Sequence, residues 1–168
     1  MRISSIRATL TLLACFGTGL AFAQSADLPN RNDVLEGITT AGQPSAEALA
    51  AVAAAGYKSV IDLRGPTEDR GFDEQATVEK LGMSYVNLPV AGAAGVTYAN
   101  ASELDRLLAD LPKPVLLHCS TSNRVGALLA LRAQQGGADN QSALDFGTAN
   151  GLVSLKPAVE EKLAVGHD

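Results

Sequence analysis

The tetrapeptide Val115-Leu116-Leu117-His118 constrains the fold more than any other stretch. Pro112 and Pro114 precede it, and the small polar run Cys119-Ser120-Thr121-Ser122-Asn123-Arg124 follows it. An apolar run without alternation reads as a strand buried on both faces, so its sheet needs a layer on each side. The neighbouring segments supply those layers. From residue 33 onward, strand and helix patterns alternate, which implies crossover units and a mostly parallel sheet. The expected fold is a single three-layer α/β domain with a central, mostly parallel sheet.

The element boundaries follow from local signals. Residues 33–39 (DVLEGIT) read as one short strand. Ser45 caps a helix whose apolar face is Leu49, Val52 and Ala53, and Gly56 stops it. Residues 58–63 (KSVIDL) form a second strand, followed by the loop RGPTEDRG. Asp73 opens a helix to Leu81. Residues 84–90 form a third strand, where Pro89 argues against central pairing at its end. Asn100 and Glu103 suggest a capping box before the stripe Leu104, Leu107, Leu108 and Leu111. After the polar run, a helix from Val125 carries Leu128 and Leu129 inward and stops at Gly136-Gly137. Two further helices are expected, near 140–150 and from Pro157 to about Val165.

The first 23 residues read differently. MRISSIR carries two arginines, an apolar stretch of modest volume follows, and Ala21-Phe22-Ala23 ends in small residues before Gln24. This is the pattern of a secretory signal peptide cleaved after Ala23. The apolar run is short for a membrane span, so no stable membrane insertion is expected after processing. A lipid-modified Cys15 is the alternative, although the residue two before it is a leucine. Residues 24–168 then form the single domain. They keep eleven basic against eighteen acidic residues, a net charge of about −7, with no tryptophan. Such a balance excludes broad nucleic-acid binding, which needs a basic footprint and often aromatic platforms. No residue cluster has metal-ligand spacing and no glycine-rich nucleotide loop is present, so neither a metal nor an organic cofactor is expected.

Loss of Cys15 with the leader leaves Cys119 alone. In an oxidising compartment a lone cysteine is inert, bridges two molecules, or works as a thiol. Its position decides among these. In parallel sheets the ligand crevice lies beyond the carboxyl ends of the strands, where Cys119 falls. A loop feeding a helix start offers unpaired amides and the positive end of the helix dipole to an anion. Ser120, Thr121, Ser122 and Asn123 are small enough to curl around an oxyanion, and Arg124 adds a planar two-pronged clamp. Positive surroundings favour a thiolate, and a thiolate facing a bound tetrahedral anion is a nucleophile held at its electrophile.

Histidine, cysteine, a short polar loop and an arginine opening a helix resemble the signature of the protein-tyrosine and dual-specificity phosphatases. The chain is most similar to their small bacterial branch of beta-lactamase-hydrolase-like or fused-phosphatase proteins. The resemblance rests on GQPSAEALAAVAAAGYKSVIDLR, the cysteine loop and the tail ALDFGTANGLVSLKPAVEEKL, and covers about residues 33–165. It implies Cys119 as nucleophile, Arg124 as phosphate clamp, the backbone of Ser120 to Arg124 as cradle, and His118 as the support of the loop and of an ionised Cys119. The implied activity is hydrolysis of phosphate monoesters, with a phosphorylated small molecule or protein as partner.

The sequence departs from that pattern in four places. Four residues separate Cys119 from Arg124 where the usual phosphatase loop has five, a spacing shared with this bacterial branch and with rhodanese-type sulfurtransferases. Ser122 stands where glycine is common, and Val125 where serine or threonine often assists breakdown of the intermediate. The loop VAGAAGVTY has no aspartate to act as general acid. Without an acid an alkoxide leaves poorly, so aryl phosphates, phosphotyrosine among them, are the expected substrates. Glu68, Asp69 and Asp73 in the other crevice loop are the candidate substitutes, and Arg64 sits where it either aids anion binding or forms a salt bridge. Two other readings stay open: a sulfurtransferase working through a Cys119 persulfide, and a catalytically weak phosphatase relative that only binds anions. The exported protein is predicted to begin at Gln24. N-terminal sequencing checks this, and a lipidated Cys15 at the amino terminus would replace it.

Overall fold

The computed structural model describes residues 27–166, so the leader, its cleavage site and Cys15 lie outside the described residues. The strands are β1 (Asn32–Leu35), β2 (Ile38–Ala41), β3 (Ser59–Asp62), β4 (Ser84–Asn87) and β5 (Val115–His118). The helices are α1 (Ala46–Ala54), α2 (Glu74–Lys80), α3 (Tyr98–Asp110), α4 (Asn123–Gln135), α5 (Asn140–Ala149) and α6 (Lys156–Val165), with a 3-10 turn at Gly92–Gly95. The strands form one sheet in the order β1-β2-β5-β3-β4, parallel except for the β1–β2 pair. This is the expected architecture, and β5 is its central strand.

Burial on both faces of β5 is direct. Leu116 packs with Leu49, Val52, Val78 and Met83 on the α1–α2 side. Val115 and Leu117 pack with Leu104, Leu108, Leu128 and Leu129 on the α3–α4 side. Each such leucine removes enough apolar surface from water to contribute roughly 1.5–3 kcal/mol. With β2 on one side and β3 on the other, β5 ends at the carboxyl edge of the sheet, where the next residue, Cys119, begins the loop.

Local expectations met the structure unevenly. Ser45 and Asp73 cap α1 and α2 by accepting from the amides of Ala48 and Ala76. The single strand expected over 33–39 is instead the β1–β2 hairpin, because Gly37 takes φ +69 and reverses the chain. The cap of α3 is Thr97, which accepts from the Asn100 amide, while Glu103 pairs with Arg106 on the exposed face. The third strand stops at Asn87, before Pro89, and β4 lies at the sheet edge. The helix expected from Val125 begins two residues earlier, so Asn123 and Arg124 belong to its first turn.

Helices α4 and α5 approach almost to backbone contact, and glycines make this possible. A Cβ on Gly126 would lie 2.4 Å from the Leu152 nitrogen and 2.5 Å from the Gly147 oxygen. A Cβ on Gly147 would lie 2.6 Å from the Gly126 oxygen. Backbone cannot move aside as a flexible side chain can. Gly126→Ala is therefore expected to destabilise the fold by about 1–3 kcal/mol, read as a lower urea midpoint with an unchanged slope.

Candidate active site

Cys119 is the first residue beyond β5 and only 1% exposed, at the base of a loop whose next two residues are exposed. The loop is held from three directions. Gln43 donates its backbone N–H to the Ser120 carbonyl at 3.1 Å. Gly42 fits only as glycine, since a Cβ there would lie 2.9 Å from the Ser120 oxygen. Asn30 donates to the Thr121 carbonyl at 3.2 Å. Ser122 takes φ +66, the left-handed conformation that explains why glycine is usual at this place. Its buried hydroxyl offsets part of that strain by donating to the Asn150 carbonyl at 3.0 Å. Asn123 ties the loop to the segment before α6: its Oδ1 accepts from the Val153 amide at 2.7 Å and its amide donates to Ser154 Oγ at 2.6 Å. The α4 ladder begins with Gly126 donating to Ser122, so the amides of Asn123 to Val125 precede it and lie at the positive end of the helix.

Arg124 lies over this loop. Its Nη2 donates to Ser120 Oγ at 2.7 Å and its Nη1 to the Val90 carbonyl at 3.3 Å. It also grips Glu68 with both prongs, at 2.5 and 2.8 Å. Hydrogen bonding to Glu68, and next the neighbouring Cys119, hold the guanidinium above its ordinary value. Glu68 in turn accepts from the Gly65 amide at 2.7 Å and from Arg64 at 3.3 Å. These bonds, that of Arg124 first, lower its carboxyl to about 2. So placed, Glu68 is ionised at neutral pH and serves as the anchor of Arg124 rather than as a proton donor. Asp69 has an exposed carboxylate bonded to the Gly71 amide at 2.7 Å, and Asp73 caps α2. Arg64 is buried and takes the salt-bridge role, with further bonds to Gln43 and to the Asp69 carbonyl.

His118 lies within a buried polar cluster behind the loop. Its Nδ1 faces the Cys119 carbonyl at 3.4 Å, and its Nε2 lies 2.7 Å from Glu74 Oε1. The second contact joins two side chains that are both buried from solvent. Asp62, register partner of His118, binds Arg70 at 2.5 and 2.8 Å, the Arg64 amide at 2.8 Å and the Tyr85 hydroxyl at 3.0 Å. Burial, and then the charge on Asp62, push the Tyr85 phenol upward. Asp62, Glu74 and His118 offer ligand atoms within 4.8 Å of one another, a donor set of metal-binding type. Arg70, held by Asp62 and 3.7 Å from Glu74, brings the positive charge to this cluster. Gln43, Asp62, Arg70, Glu74 and Asn150 were not among the site residues legible in the sequence. Only the adjacency of Gln43 and of Asn150 to glycines, within segments that resemble a known family, marked two of them.

A cysteine at the end of the central strand, a left-handed turn and an arginine in the first helical turn define a domain of the protein-tyrosine-phosphatase type. Comparison narrows this. The family described as DSP-PTPase phosphatase fused to NAD+ kinase matches residues 16–156, and the chain belongs to it. Beta-lactamase hydrolase-like proteins of Xylella fastidiosa and Agrobacterium fabrum are 32% and 31% identical, over 59% and 70% of this chain. The chain spans about a quarter of their length, 24% and 28%. A Neisseria meningitidis structure superimposes with a TM-score of 0.64 over 82% of this chain and 99% of that one, at 18% identity. A cysteine-to-serine form of P. aeruginosa TpbA, in complex with pTyr, gives 0.60 over 82% and 84%, at 19% identity.

The Glu68 anchor has a pH signature. Its carboxyl is lower in the folded chain than in the unfolded one, so its contribution is complete above the ordinary value of 4.5 and is lost as pH falls through about 2. The difference in urea midpoint between wild type and Glu68→Gln is expected to shrink steadily over that acid range and to be constant above it.

Proposed function

We propose that the protein is a cysteine-dependent phosphatase of phosphate monoesters, with aryl phosphates preferred. The observation that carries this reading is the placement of Arg124 over the loop of Cys119, anchored by Glu68 and bonded to Ser120. Cys119 sulfur attacks phosphorus while the ester P–O bond breaks, and the leaving oxygen takes a proton from solvent or from Asp69. Water then attacks the thiophosphate, which releases inorganic phosphate and regenerates the thiolate. Arg124 and the amides at the start of α4 meet the charge on the equatorial oxygens, so no metal enters the reaction. Glu68 fixes the guanidinium, and His118 supports the Cys119 carbonyl from behind.

The preference for aryl phosphates follows from the acid. The segment Leu88–Thr97 carries no ionisable side chain. Glu68 is engaged with Arg124, which leaves Asp69 as the candidate donor in the crevice. A phenolate leaves without a strong acid, whereas an alkoxide does not. The pTyr complex of TpbA supports an aryl phosphate here. The leader pattern supports action in the periplasm or outside the cell.

Purified protein is expected to hydrolyse p-nitrophenyl phosphate equally well with and without chelator. Cys119→Ser should abolish turnover, and Arg124→Ala should lower kcat/KM by about 100-fold or more. Activity that survives the serine substitution, or that a chelator removes, contradicts the mechanism. The four-residue spacing of the loop favours one other reading, a sulfurtransferase. Intact mass after incubation with thiosulfate separates the two: a stable added sulfur on Cys119, passed to cyanide with no phosphatase activity, selects the second.

A further inference from the structure

The charges around the loop bear on the carrier of the phosphate. A cavity of about 400 Å³ opens beside Glu68, and Asp69, Arg70, Phe72, Asp73, Glu74 and Tyr85 also line it. Phe72 and Tyr85 are partly exposed and give it aromatic walls. Asp69 and Asp73 are exposed, and their carboxylates accept from the amides of Gly71 and Ala76. Glu74 is 1% exposed and faces His118 at 2.7 Å and Arg70 at 3.7 Å.

The nearby cations are engaged. Arg64 pairs with Glu68, Arg70 with Asp62, and Arg124 with Glu68. The loops 42–45 and 88–97 carry no charge, and no lysine lies in 63–73. One phosphate is served by Arg124 and the helix start. A second anionic group on the same molecule would meet Asp69 and Asp73, with no uncommitted cation among the described residues of these loops. A positive group there would meet two exposed carboxylates beside two aromatic rings.

We propose that this crevice selects aryl phosphates whose carrier bears ammonium or guanidinium groups next to the phosphorylated ring, and discriminates against carriers with further anionic groups. The proposal rests on the phosphatase reading for its reaction, but the selection itself is a matter of binding. Specificity here comes as much from repulsion of the wrong carrier as from attraction of the right one.

Two fluorescent phosphotyrosyl peptides, identical except for lysines or glutamates flanking the phosphotyrosine, test it. Binding is measured on Cys119→Ser, and hydrolysis on the unsubstituted protein with p-nitrophenyl phosphate, which carries no flanking charged group, as the reference. The lysine peptide is expected to bind about fivefold tighter, since exposed charge pairs each contribute modestly. The ratio should shrink with added salt. It should also shrink in Asp73→Asn, which keeps a capping residue at the start of α2, and in Gln75→Lys, whose exposed side chain also lines the cavity. Equal binding, a preference for the glutamate peptide, or a ratio indifferent to these two substitutions overturns the proposal. If p-nitrophenyl phosphate is hydrolysed while the peptides bind equally, the selection fails and the phosphatase reading stands. If neither reagent is hydrolysed while the lysine peptide binds tighter, the selection stands and the phosphatase reading fails.

Discussion

The two-pronged bond between Arg124 and Glu68 joins the loop that follows β5 to the loop that follows β3. These loops leave neighbouring strands at the same edge of the sheet, and each brings half of the site. An arginine side chain alone would sample many rotamers over an anion site, and ordering it on binding would cost conformational entropy. Glu68 spends that entropy during folding, and its carboxylate is itself oriented by the Gly65 amide and Arg64. The same bond that fixes the clamp removes Glu68 as a proton donor. Positioning and acid catalysis compete for one residue, and in this structure positioning holds it.

Beneath that pair lies a second polar layer with a different character. His118, Asp62 and Glu74 are buried, and Arg70 is nearly so. Burying charge is expensive unless partners surround it, and removing one partner leaves the others uncompensated. Two carboxylates face one guanidinium and one imidazole here, with the Tyr85 hydroxyl as a further donor to Asp62. The cluster joins β3, β4, β5 and α2 directly behind the cysteine, so the loop rests on groups that cannot shift independently.

The carboxyl-terminal segments support the loop from the other side. Gly126 and Gly147 bring α4 and α5 close enough for Asn150 to receive the Ser122 hydroxyl and for Asn123 to hold Val153 and Ser154. That contact steadies a serine in a conformation that usually asks for glycine. The departure at Ser122 and the tail around Asn150 are thus two parts of one arrangement.

Periodicity and turn chemistry, being local, were legible in the sequence. The apolar run Val115–His118 implied a central strand because its pattern has no solvent face. Ser45 and Asp73 marked helix starts because a short polar side chain before an apolar stripe satisfies free amides. The cysteine loop and Arg124 were legible because a nucleophile, small residues and a clamp occur within one short stretch. The β1–β2 hairpin was missed because Glu36-Gly37, a turn signal only two residues long, was absorbed into one short strand, and the cap of α3 because two polar residues competed for it. Tertiary structure alone decided the partners. Glu68 reads as an ordinary loop acid until the sheet order sets it against Arg124, 56 positions away. Glu74 reads as a first-turn helix residue until α2 packs it against His118. Charge pairing depends on distance in space, and only the register of β3 against β5 brings those groups together.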